Sequence, residues 1–294
     1  MIPNNKMLSY FIIRLYNREK GGDFMEQIMK RYTTSLGEIC YWTTRVSEQA
    51  RWLVFLPGLS ADHTLFEKQI EGLSDTYNCF VWDAPAHGLS RPFEKRFNMF
   101  DMADYLYEIF ALEGVVQPVM IGQSLGGYIA QVYMERYPDS VSGFISIDSC
   151  PMKRKYYSWW EVALMKHTKW MYLSIPWKLL FWWGIMGTAT SEYGRDIMRE
   201  TWSAYDKLEF CELADFGYRI LMEAVEAKLP YDITCPALLI CGEKDMAGSA
   251  KNYNRRWTKQ DGIPLVWIKG AGHNANTDAP EEVNRLIRDF VSNL

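Results

Sequence analysis

The chain has 294 residues, enough for one large domain or two modest ones. Its 32 Lys plus Arg against 36 Asp plus Glu leave a net charge of −4, which excludes the basic field of a nucleic-acid-binding protein and any acidic tail. With 48% hydrophobic and 23% charged residues it has the composition of a protein with a core, and disordered, collagen-like and disulfide-scaffold classes are excluded.

Residues 8–15 form a short apolar run with Lys6 before it and Arg14 inside it, well short of the roughly 20 residues a membrane span needs. Arg18-Glu19-Lys20 stands where a signal peptide would carry a small-residue cleavage site. Residues 1–24 read as an appendage with the character of a short helix, and Met25 as a candidate start, because a regular pattern begins just after it. From there short apolar runs alternate with helix-like stretches. The spacing predicts buried strands over residues 51–56, 79–82, 115–121, 144–147, 237–241 and 265–268. It predicts helices over 99–112, 128–136 and 280–291. Continuous apolar strands alternating with helices indicate an α/β fold, a mostly parallel sheet with helices on both faces.

Residues 151–230 interrupt this alternation. They offer no convincing strand, yet hold seven of the 12 Trp. The run over 170–186 is nearly apolar enough for a membrane span, but Lys178 lies in its middle and Pro176 would break it. The segment reads as a helical insertion between two strands. The six cysteines lie far apart with no C-x-x-C pair, which argues against a zinc or redox motif and favours a reducing cytoplasm.

The chemistry gathers around Gly122-Gln123-Ser124-Leu125-Gly126-Gly127, directly after one predicted strand and directly before a helix. The G-x-S-x-G pattern is weak by itself, and its placement gives it weight. A serine on a sharp strand-to-helix turn is strained and exposed, and the following helix N-terminus presents N–H groups to a developing negative charge. A serine nucleophile needs a base and a group to orient that base. His273 follows the last predicted strand and Asp245 the one before it, at the carboxyl edge where open α/β sheets build their sites. The bland readings are an incidental serine in a tight turn, a turn aspartate and a capping histidine. The order Ser124, Asp245, His273 makes three such coincidences together hard to accept.

On these residues the chain, from about residue 30 to 294, resembles the α/β-hydrolase fold superfamily. Leu56-Pro57-Gly58-Leu59-Ser60 stands where the family has its His-Gly turn, and Asp83-Ala84-Pro85-Ala86-His87-Gly88-Leu89-Ser90 resembles the family's D-x-P-G-H-G-x-S loop. Pro57 and Ala86 depart from the usual His and Gly. The resemblance implies an oxyanion hole from the backbone N–H groups of Leu59 and Leu125, and a lid over residues 151–230 inserted after the sixth strand. The core is then residues 25–150 and 231–294. Aromatic and methionine side chains there (Met165, Met171 and Met186 among them) would roof an apolar pocket, while most of the aromatics pack the lid helices together.

The remaining candidates carry less. His87 reads as structural, His63 as an exposed loop residue with an outside claim on substrate, and His167 as surface. Asp148 follows a strand end as a rival to Asp245, and Glu243 and Asp261 are less well placed. No metal or nucleotide motif is present, so no cofactor and no metal are expected. The reading is a serine hydrolase cleaving a carboxylic ester or related acyl bond of a small, apolar or aromatic substrate. Alternatives on the same triad are a C–C bond hydrolase, a proline-iminopeptidase-like aminopeptidase, a thioesterase or a lyase. A slow-turnover ligand-binding protein is a further alternative. No nucleic-acid partner is expected, and membrane contact is open only through residues 1–24 or the lid.

Overall fold

The computed structural model describes residues 9–12, as backbone, and 27–294. Nine strands form one sheet: β1 (Ser9–Ile12), β2 (Ile28–Thr33), β3 (Glu38–Thr44), β4 (Trp52–Leu56), β5 (Asn78–Trp82), β6 (Val119–Gln123), β7 (Gly143–Ile147), β8 (Ala237–Gly242) and β9 (Leu265–Ile268). Their spatial order is β1-β2-β3-β5-β4-β6-β7-β8-β9. The first three and the β3–β5 pair run antiparallel, and all later pairs run parallel. Every residue of β4, β5, β6 and β7 is buried, as expected for strands covered on both faces.

The core helices are α1 (Glu67–Leu73), α2 (Met99–Glu113), α3 (Leu125–Arg136), α9 (Ala250–Asp261), α10 (Ala275–Asp278) and α11 (Pro280–Ser292). Helix α2 packs on α3, and α1 on α11. The α2 boundaries are written locally. Asn98 and Asp101 form a reciprocal capping box at the start, and Gly114 closes the end at φ 64°.

Between β7 and β8 come a 3₁₀ turn, Arg154–Tyr156, and five helices: α4 (Trp159–Met165), α5 (Thr168–Ser174), α6 (Trp177–Thr188), α7 (Glu192–Ser203) and α8 (Lys207–Glu226). The insertion thus follows the seventh strand counted from β1, or the sixth counted from β2. No helix among the described residues is long and apolar enough to cross a membrane.

Several details differ from, or add to, what the sequence suggests. Ser9–Ile12, inside the stretch read as helical, pairs as an edge strand with β2, and the rest of 1–24 lies outside the described residues. Strand β6 starts at Val119 rather than 115, because Gln117 turns at φ 47° and Pro118 has no N–H to pair. The β2–β3 hairpin and α9 had no counterpart in the sequence reading. In the insertion, the tyrosines and phenylalanines pack inward, but five of its seven tryptophans are exposed, together with Met171 and Met186.

Candidate active site

The turn from β6 into α3 holds Ser124 at φ 47° and ψ −115°. A non-glycine residue pays of order 1–3 kcal/mol for such a backbone, a cost that persists only where the surroundings impose it. Here they do. The Ser124 N–H donates to Ile147 O at 2.9 Å, and Gly127 N–H to Ser124 O at 3.0 Å. A Cβ on Gly126 would overlap the Leu56 carbonyl, so only glycine lets α3 approach β4 this closely. A Cβ on Gly58 would sit 3.1 Å from Ser124 Cβ, which puts the loop after β4 against the serine.

That loop carries Leu59. Among the described residues, neither the Leu59 N–H nor the Leu125 N–H, at the first position of α3, has a hydrogen-bond acceptor. Leu125 follows Ser124 directly, and Leu59 follows Gly58, which packs against Ser124.

Asp245 and His273 follow β8 and β9. His273 Nδ1–H faces both Asp245 carboxylate oxygens at 3.1 Å, and the Asp245 side chain is fully buried. Burial favours the neutral imidazole, but the Asp245 charge and hydrogen bond, with Asp148 behind them, outweigh it and hold the His273 pKa above its ordinary value. The Ser124 hydroxyl hydrogen-bonds to none of the described residues, and such contacts often close only when substrate is bound.

Asp148 makes no hydrogen bond to His273. Its Oδ1 accepts from Gly242 N–H at 2.7 Å and its Oδ2 from Ala275 N–H at 3.0 Å. It therefore joins the end of β8 to the loop carrying His273. Burial and the nearby Asp245 push its pKa up, against the pull of His273 and the two amides. Asp148, Cys241 and Asp245 place ligand-type atoms within 4.8 Å of one another. With both oxygens held by backbone amides, Asp148 ties these two segments together.

The sequence reading missed several supports. Gln123, next to the serine, donates to His273 O at 2.9 Å and Asn274 Oδ1 at 3.0 Å. Its place inside the G-x-S-x-G motif was the available signal. Asp278 accepts from Gly272, Thr190 and Ser191 N–H groups, and Asn274 N–H donates to Thr188 O at 2.8 Å, tying the insertion to the histidine loop. A Cβ on Gly217 of α8 would lie 2.5 Å from Leu59 Cδ1, so the insertion also touches the loop after β4.

Of the other histidines, His87 is buried with Nδ1 3.0 Å from Pro85 O, and burial lowers its pKa. His63 is not an exposed loop residue. It stacks on Trp42 at 3.6 Å and its Nδ1 meets Asp83 Oδ1 at 2.9 Å, which shapes the D-x-P loop. His167 is exposed. Glu243 accepts from Gly270 N–H, and Asp261 pairs with Lys153 and Lys155, away from the serine. Ala86, where the family favours glycine, sits at φ 68°, a left-handed conformation that explains the preference. A cleft of about 570 Å³ between α6 and α7 is lined by Phe181, Ile185 and Trp202 but by none of Ser124, Asp245 and His273.

Comparison with known proteins agrees with this architecture. Residues 51–184 match the family model described as alpha/beta hydrolase fold. The chain is 22% identical to a 2-(acetamidomethylene)succinate hydrolase of Mesorhizobium japonicum over 81% of this chain and 87% of that one. Its structure is similar to a thermophilic esterase of Thermogutta terrifontis, with TM-score 0.69, 20% identity and coverage of 91% and 98%. A hydrolase of Pseudomonas aeruginosa superposes with TM-score 0.73 at 16% identity, covering 90% and 98%. The elbow serine, the strand order and the match over residues 51–184 together identify the α/β-hydrolase fold in this chain.

Proposed function

We propose that the chain is a serine hydrolase that cleaves a carboxylic ester or related acyl bond. Ser124 attacks the acyl carbon while His273 Nε2 takes its proton, and Asp245 orients the ring and stabilises its charged form. The oxyanion is held by the N–H groups of Leu59 and Leu125. Collapse expels the alcohol, which takes the proton from His273. Water, giving its proton to His273, then attacks the acyl-enzyme, releasing the acid and restoring Ser124.

The observation that carries the reading is the strained Ser124 beside two N–H groups without acceptors. The His273–Asp245 bond and the similarity to proteins described as hydrolases and esterases support it. The insertion acts as a lid: α8 reaches Leu59 and the end of α6 reaches Asn274, so substrate enters beneath an aromatic-rich cover. That favours apolar or aromatic acyl groups.

The test is hydrolysis of a p-nitrophenyl ester series of rising acyl length, alongside Ser124→Ala. The wild type should prefer the longer or aromatic members. The variant should lose at least about 10³-fold in kcat/KM with an unchanged melting temperature. A variant retaining most of its activity would remove the serine mechanism, and a flat chain-length profile would remove the apolar pocket.

A further inference from the structure

A surface helix ordinarily turns its polar side outward. Helix α6 is apolar on both sides. Its inner side buries Leu180 and Ile185, with Phe181 against Trp202. Its outer side, at helical spacing, is Lys178, Leu179, Trp182, Trp183 and Met186, all exposed. The preceding helices continue this character: Trp159 is 77% exposed, Trp160 54% and Trp170 79%. Among the described residues, every tryptophan exposed by half or more lies between positions 159 and 183. Exposed apolar side chains concentrated in one stretch of the chain point to an interaction site.

Charge narrows the occupant. Residues 159–188 carry Lys166, Lys169 and Lys178 against one acid, Glu161. Glu161 is turned inward, capping α4 through Ser158 and accepting from Tyr253 Oη at 2.6 Å. Lys166 and Lys169 pair with Glu226 and Glu212 of α8, while Lys178 has no acidic partner among the described residues and stands within the Trp stripe. Indole rings, with an apolar body and one N–H donor, settle at the boundary between headgroups and acyl chains, and lysines beside them meet lipid phosphates. At 12 residues α6 is about 18 Å long, too short to cross a bilayer and suited to lying in its surface.

We propose that the outer face of α4–α6 docks the enzyme onto an anionic lipid bilayer, with Trp182 and Trp183 entering the headgroup layer and Lys178 meeting phosphate. The geometry links this contact to the site: α6 runs about 9 Å from Trp182 to Thr188, whose carbonyl holds Asn274 next to His273. Docking therefore brings the cover of the site, and the histidine loop it holds, down to the membrane surface.

The test is flotation of the full chain with phosphatidylcholine vesicles, with and without phosphatidylglycerol, read together with tryptophan emission. The wild type should float with the mixed vesicles and its emission should shift to the blue. The double variant Trp182→Ser/Trp183→Ser should partition at least about tenfold more weakly. Lys178→Glu should weaken binding to mixed vesicles more than to phosphatidylcholine alone. Circular dichroism and melting verify the fold, and Trp159→Ser/Trp170→Ser, at the two most exposed positions, gives the same readout should the first pair fail to fold. The proposal is overturned by a wild type that does not bind, or by folded variants that bind unchanged, which would move attachment outside this face. It is also overturned by sedimentation showing that the face joins two copies of the chain and that the variants separate them.

Discussion

At the residue scale, the proposed mechanism makes His273 the group that sets the pH behaviour. It acts as a base only when neutral, and Asp245 and Asp148 hold its pKa above the ordinary histidine value against the effect of burial. The sign follows directly: as pH falls, the ring becomes charged earlier than a free imidazole would. The acid limb of kcat/KM should therefore lie above about pH 6.5. Replacing Asp245 by Asn removes the larger opposing charge, so the limb should move to lower pH while the rate drops by about 10⁴-fold from loss of ring orientation. A pH–rate profile of both proteins checks this, and an acid limb that stays in place in the variant would show that Asp245 does not govern His273. The same scale explains why the pairing of Asp245 with His273 was legible in the sequence and the hydrogen bonds of Gln123 and Asp278 were not. The first two follow strands at the edge where sites form. The others act by holding backbone amides and carbonyls of distant segments, so Gln123 had only its place in the elbow motif to mark it and Asp278 had nothing.

At the scale of elements, the site depends on three strand ends being held in register. Asp148, at φ 48° after β7, binds the amide of Gly242 at the end of β8 and that of Ala275 at the start of α10. From sequence it is indistinguishable from a triad acid, because both roles put an aspartate after a parallel strand; the hydrogen-bond partners separate them. Asn at this position can accept only one of the two amides and turns its own NH₂ toward the other. Asp148→Asn should cost about 1–3 kcal/mol of stability and lower kcat, with the Asp245–His273 pair still present. Chemical denaturation and steady-state kinetics read both, and an unchanged stability would show that this tie is dispensable. The parallel core was legible because buried strands are continuous apolar runs ended by Pro-Gly, Asp-x-Pro or Gly-x-Ser. The β2–β3 hairpin was not, since Lys30, Arg31 and Glu38 break up its pattern and are held by pairing with Glu113 and with each other.

At the scale of the whole molecule, the chain combines a conventional sheet core with an insertion in which α6 is apolar on both sides. Composition foretold an aromatic-rich segment, and it was natural to expect its tryptophans inside. Which side of a helix faces the core depends on what the neighbouring helices offer: on α6, Phe181 packs on Trp202, which packs on Phe210, while Trp182 lines the open cleft beside them. The central claim remains that Ser124 is an activated nucleophile at the junction of β6 and α3. Treating the folded full chain with a fluorophosphonate and mapping the adduct by peptide mass spectrometry tests it without any choice of substrate. The account predicts a single adduct on Ser124 that is lost in His273→Ala. Labelling at another serine, or no labelling of folded protein that turns over esters, would contradict it.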